Sequence, residues 1–229
     1  MAILINRYIS DAEIEECAIR VLQQYGRQHG PILTPPVPIE QIIDFTVDIP
    51  IIHDAIPAHG GSPVLAKLAV QGHPSPDVAI YVNTDKRPFF DQHEGVEQFS
   101  LAHELGHYML HIDRGSLYTL LLPDAEEQSI VLCRASSVEE RDRNAWRKEL
   151  QAERFAAYIL MPQELLRKAC AGINLCQWRD LYRLRDEFHV TITALTRRLN
   201  DLHLVTVTPD RKLVPYRAKL AVQSRSLWE

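Results

Sequence analysis

Residues 103–107 read His103-Glu104-Leu105-Gly106-His107, an HExxH pattern, and the fold is worked outward from them. On an α-helix of about 3.6 residues per turn, two histidines four apart project from one face. Both rings can then reach one zinc ion at about 2.0–2.1 Å. Glu104 lies at the edge of that face, within reach of a water on such an ion. Five matching residues occur by chance in many chains, so the flanks matter. Phe99, Ala102, Leu105, Met109, Leu110 and Ile112 make the helix apolar on most sides. The expectation is a buried helix, the scaffold that a metal site requires.

The chain has 229 residues and is 46% hydrophobic, enough for a real core in one large domain with appendages. No apolar run approaches the ~20 residues that span a bilayer, and residues 1–7 lack the apolar core and cleavage site of a signal peptide. The expectation is a cytosolic protein with no membrane association. Cys17, Cys133, Cys170 and Cys176 show no CxxC spacing, which excludes a cysteine zinc finger and leaves buried, reduced thiols as the expectation. The net charge of −5 argues against a general nucleic-acid coat. Residues 177–229 carry ten Lys/Arg against six Asp/Glu, a mild basic excess.

Ser10-Asp11-Ala12-Glu13 has the form of a capping box, and Ile14, Cys17, Ala18, Val21, Leu22 and Tyr25 follow at helical spacing. This predicts an amphipathic helix ending near Gly26 to Gly30. Residues 30–38, with four prolines, predict an extended connector. Ile39 to Phe45 reads as a short helix leading into a strand around Val47 to Ile52. The apolar runs Val64 to Val70 and Val78 to Val82, separated by turn residues, predict an antiparallel hairpin. Ala79 to Asn83 reads equally as a sheet edge for an extended substrate and as a plain core strand. Asp91 and Glu94 are the candidate cap of the HExxH helix. Residues 113–144 read as an insertion, a hairpin or lid, and Ser137-Val138-Glu139-Glu140 as a second capping box opening a long helix to Pro162. Glu164 to Cys170, Trp178 to Phe188 and Ile192 to Leu202 read as helices, and Val205 to Val214 as a terminal hairpin.

The fold class is therefore α+β: a mostly helical domain with a small antiparallel sheet beside the HExxH helix and a C-terminal helical region. Residues 1–170 form the main domain in this reading. Residues 171–229 are a helical, helix-turn-helix-like extension of the same fold.

Two histidines do not complete a catalytic zinc site, which takes three protein ligands. His111 repeats the spacing but lies about 12 Å along the helix from His103, too far to share one ion, so it reads as a supporting or packed histidine. Glu149 and Glu153 share one face of the later helix, where Ala152 and Ala156 allow a close helix–helix approach. One carboxylate can bind metal while the other orients a ligand histidine. The residues by themselves leave Glu149 open between ligand and solvated surface acid. Gly106 costs about 1 kcal/mol within a helix relative to Ala, which predicts a close approach at that point.

Phe99-Ser100-Leu101-Ala102 before HELGH, His111 after it, and the segment from Glu149 to Pro162 together resemble the ImmA/IrrE family of zinc metallopeptidases. That family shows an FxxAHELGHxxLH stretch and a later ExxANxFAxxLLMP stretch. The resemblance runs from about residue 11 to 206. It implies a gluzincin-like site with His103, His107 and Glu149 on Zn2+ and Glu104 as general base. It also implies a protein substrate, a helix-turn-helix repressor, whose cleavage relieves repression of mobile-element or stress-response genes, or a place in a toxin–antitoxin pair. At position 153 this chain has Glu where the family pattern has Asn, and its interval from His107 to Glu149 is long. Tyr108, Tyr158 and His111 are candidates for stabilising an oxyanion.

A reading from another class makes the chain a DNA-associated regulator or a metal-stabilised toxin–antitoxin component without proteolysis. In it, residues 178–202 form a helix-turn-helix with Arg197 and Arg198 on the second helix. Asp180, Asp186, Glu187 and Asp201 dilute that basic field, which favours a structural or partner-recruiting role for this region.

Overall fold

The computed structural model of the protein describes residues 4–5, 7–58, 63–71, 77–93, 95–115, 117, 129–133 and 143–216. Helix α1, Asp11–His29, starts at the expected capping box: Ser10 accepts from the Glu13 backbone N–H, and the Glu13 carboxylate accepts from the Ser10 N–H. It buries Ile14, Cys17, Ala18, Val21 and Tyr25 and stops at Gly30, so the helical spacing is realised as a core face. The connector leads into α2, Ile39–Gln41, which continues as a π-helical turn over Ile42–Val47. Asp48, in the left-handed region at φ 59°, ends that turn.

Strand β1 is Ile51–Asp54, β2 is Ala66–Gln71, β3 is Asp77–Asn83 and β4 is Ser129–Cys133. They form one sheet in the order β1-β3-β2-β4. The hairpin is present, with Leu68 opposite Ile80. The sheet is mixed, however, because β1 runs parallel to β3, with Ile51 opposite Ile80. Strands β1, β2 and β3 run up, down and up, and β3 inserts between the other two, which sets it parallel to β1 and antiparallel to β2. This places Ala79 to Asn83 inside the sheet, as a core strand and not an edge. Buried Asn83 instead ties the surrounding loops, donating to the carbonyls of Ile56 and Val64 and accepting from the Ile56 N–H.

After β3 come α3, Arg87–Gln92, and α4, Val96–His111, which carries the HExxH residues. The cap of α4 is not the expected Asp91–Glu94 pair. Asp91 is engaged by Arg87 within α3, and Glu94 is outside the described residues. Gly95 caps α4 at φ +79°, and a Cβ there would run into the Val190 backbone. Helix α5 is Arg143–Leu160, so its long helical pattern is realised, while the second capping box and most of residues 113–144 lie outside the described residues. Helices α4 and α5 pack where expected. A Cβ on Gly106 would stand 3.1 Å from the Ala152 carbonyl oxygen and 3.2 Å from Phe155 Cβ.

Then follow α6, Gln163–Ala169, α7, Trp178–Phe188, and α8, Ile192–Asp201, with Thr191 capping α8 through the Ala194 N–H. The hairpin of β5, Val205–Val207, and β6, Leu213–Pro215, follows them. Leu181, Leu184, Phe188, Val190, Leu195 and Leu199 belong to the same apolar cluster as α1, α4 and α5. Arg198 is buried: its Nε donates to the Met161 carbonyl, it pairs with Glu15, and it lies 4.3 Å over the Tyr158 ring. Arg197 donates to Glu153 at 2.8 Å. Arg198 is therefore withheld from a phosphate backbone, while Arg197 stays half-exposed beside Glu153. Cys17 is buried, Cys170 half-buried and Cys176 exposed, so burial holds for only part of the described thiols. No helix among the described residues is long and apolar enough to cross a membrane.

Candidate metal centre

Helix α4 buries its polar residues together with its apolar ones. His103, Glu104 and His107 have no exposed surface, and His111 is 1% exposed. Burying such groups costs several kcal/mol each unless they are partnered, so their partners define the site. His103 Nε2 lies 3.0 Å from His107 Nε2 and 3.2 Å from Glu149 Oε2. His107 Nε2 lies 3.2 Å from Glu149 Oε1. Glu149 comes from α5, and its side chain keeps 21% of its surface, opening the group on that side.

Four ligands arranged tetrahedrally at about 2.0–2.1 Å from zinc stand about 3.3 Å from one another. The two imidazole nitrogens, 3.0 Å apart, are close to that spacing, and each meets a different oxygen of Glu149 at 3.2 Å. Two imidazole nitrogens and a carboxylate are also a donor set that zinc accepts, and the three residues form a group that could hold a metal ion. Burial alone would raise the Glu149 carboxyl. Its hydrogen bonds with His103 and His107, and their charge, outweigh that and hold it at about 2. A carboxylate ionised at neutral pH is the form that binds a cation.

Glu104 is held differently. Its Oε2 accepts the Leu68 N–H of β2 at 2.9 Å, so the sheet fixes the carboxylate beside the two histidines. His111 faces His107 with Nδ1 to Nδ1 at 3.1 Å, and its Nε2 lies 3.1 Å from Gln151 Oε1. Burial, reinforced by the neighbouring His107, pushes the His111 imidazole down to about 3. His111 is thus the supporting histidine that its spacing predicts.

Glu153 does not join the group; it faces Arg197. Tyr158 stands nine residues, or about 13 Å of helix, beyond Glu149, too far to face the same reacting group. Both His111 nitrogens are engaged, which removes it as an oxyanion donor. Two partners were not legible in the sequence. The Leu68 donor is a backbone group and leaves no residue signature. Gln151 carries no metal motif; its place two residues after Glu149 is the only signal.

A search of curated proteins finds no sequence match. Among solved structures, a Mycobacterium tuberculosis transcriptional regulator is similar at 16% identity and a TM-score of 0.47, over 90% of this chain and 50% of that one. The chain thus spans about half the length of that regulator. Residues 91–200, which run from the end of α3 through α8, match the family model of the IrrE N-terminal-like domain, Peptidase_M78. It is over these residues, which hold both paired motifs, that the chain is similar to the IrrE N-terminal-like domain.

Proposed function

We propose that this protein is a zinc-dependent endopeptidase that hydrolyses a peptide bond in a specific cytosolic protein, a helix-turn-helix repressor, and so relieves repression. The observation that supports it most is the convergence of His103, His107 and Glu149 into one group that could hold a metal ion, with Glu104 buried beside them. In this reading those three residues hold Zn2+, which supplies Lewis acidity to polarise the scissile carbonyl and acidify water. Glu104 is the general base. With Oε2 fixed by the Leu68 N–H, its Oε1 takes the proton of the attacking water and later passes it to the leaving amine. Residues 1–170 form the metallopeptidase domain, and 171–229 extend the same fold. The contacts of Arg197 and Arg198 favour a structural or partner-recruiting role for residues 178–202 over DNA binding.

The test pairs metal analysis with a cleavage assay. Glu104→Gln keeps the side-chain shape and removes the base. It is expected to retain one zinc per chain and to lose cleavage of a co-expressed helix-turn-helix repressor that the parent cuts. Undiminished cleavage by the variant removes Glu104 from the chemistry. A parent that carries zinc and leaves every such repressor intact removes the assigned substrate.

A further inference from the structure

A chain of hydrogen bonds runs from the backbone near α1 to the nitrogen of His107 that meets the candidate metal site. It begins at the Ile9 carbonyl, which can only accept. Gln151 Nε2 donates to it at 2.9 Å. That bond fixes which way the Gln151 amide is turned, since the opposite orientation would set two oxygens against each other. Oε1 therefore faces His111 Nε2, at 3.1 Å. An amide oxygen can only accept, so Nε2 of His111 carries a proton.

A second proton on His111 would put a buried cation with donors at both nitrogens against His107, which burial to 1% exposure disfavours. His111 is thus neutral with a lone pair on Nδ1. That lone pair lies 3.1 Å from His107 Nδ1, which must donate. With Nδ1 of His107 committed to that bond, Nε2 is the nitrogen left to face the site. Nε2 is the atom that lies 3.0 Å from His103 Nε2 and 3.2 Å from Glu149 Oε1.

We propose that Gln151 is a positioning residue for the metal centre: through His111 it sets the tautomer of His107 and presents Nε2 as the ligand atom. A metal-ligating histidine commonly has its second nitrogen held by a carboxylate, a carbonyl or water. Here a second histidine takes that place, and the uncharged amide of Gln151 ends the chain. This inference rests on the metal-centre reading for its purpose, while the His111 tautomer and the His107 Nδ1 proton exist with or without metal.

The experiment uses the full chain with 15N-labelled histidine, metal-free and then zinc-loaded. Two-bond 1H–15N correlation spectra of the metal-free protein are expected to show His111 as the Nε2–H tautomer and a proton on His107 Nδ1. Gln151→Leu should lose the single His111 tautomer. Its zinc affinity, read by competition with a chelator, should fall about 10- to 100-fold, the range for partners of metal ligands. Gln151→Glu accepts the same Nε2–H and should restore affinity to near the parent's, although it forfeits the bond to Ile9. Circular dichroism and thermal melts of the metal-free variants check that each is folded.

An Nδ1–H tautomer at His111 in the parent overturns the proposal. So does a Gln151→Leu variant that binds zinc as tightly as the parent, or a Gln151→Glu variant as weak as Gln151→Leu. If Gln151→Leu does not fold, the parent's tautomers and the Gln151→Glu affinity decide. Failure of the metal-centre reading looks different: the parent then binds no stoichiometric zinc, and the tautomers of the metal-free protein still report on the relay.

Discussion

Replacing Gly106 with alanine sets two effects of known size against each other. In an isolated helix the change is favourable by about 1 kcal/mol, because glycine pays the larger backbone entropy. Here the new methyl would sit 3.1 Å from the Ala152 carbonyl oxygen, 3.2 Å from the Ala152 Cα and 3.2 Å from Phe155 Cβ. Comfortable contacts between carbons are about 3.5–4.0 Å, so something must yield by a few tenths of an ångström. Two of the three atoms are α5 backbone, which cannot rotate away like a flexible side chain. Overpacking of this kind costs about 1–3 kcal/mol, and the net expectation is a loss of about 1 kcal/mol. The displacement also reaches the site, since Glu149 is one turn before Ala152 on the same helix and ligand distances tolerate only about 0.2 Å. Urea unfolding of the metal-free protein and chelator competition for zinc read the two effects separately, and both stability and affinity should fall. A Gly106→Ala variant more stable by about 1 kcal/mol with parental zinc affinity would refute the close-approach argument.

Two further outcomes are expected. Glu149→Ala should lose most of its bound metal. Glu153→Ala should keep it and lose only the partly exposed pair with Arg197, worth up to about 1 kcal/mol; metal loss in the Glu153 variant would reverse the ligand assignment. With EDTA present, the protein should lose about 2 kcal/mol of stability between pH 7.5 and 5 through His111: its folded pKa, lowered to about 3, lies below the unfolded 6.5, so the unfolded chain takes up the proton first and is favoured as pH falls. His111→Gln should flatten that part of the urea-unfolding pH profile, and an unchanged slope would show that His111 is not the group responsible.

What the sequence revealed and what it hid divide along local and distant causes. The start of α1 was legible because Ser10 and Glu13 satisfy each other's backbone within four residues. The β2–β3 hairpin was legible because its turn residues lie between its two apolar runs. The parallel placement of β1 depends on β3 inserting between two earlier strands, a choice that no single segment contains. The start of α4 was misread for a similar reason: Asp91 looks like a cap locally, but the close approach of Val190, nearly a hundred residues later, requires glycine at 95. In the candidate site, the two histidines and Glu104 followed from spacing. Glu149 and Glu153 are equivalent by spacing on one helix face, and only tertiary structure, which turns Glu153 to Arg197, separates them.

A helix selected for stability alone would carry apolar residues at 103, 104, 107 and 111, since all four positions are fully buried or nearly so. Leaving such groups unpartnered would cost several kcal/mol each against a total stability of about 5–15 kcal/mol. The fold meets that cost with partners drawn from several elements: β2 supplies the Leu68 N–H, α5 supplies Glu149 and Gln151, and the segment before α1 supplies the Ile9 carbonyl that anchors Gln151. A buried polar network assembled from elements this distant in sequence brings no stability that apolar side chains would not bring more simply. Its retention is accounted for by chemistry at the point where His103, His107 and Glu149 converge. The close approach at Gly106 brings the two halves of that point within ligand distance of each other.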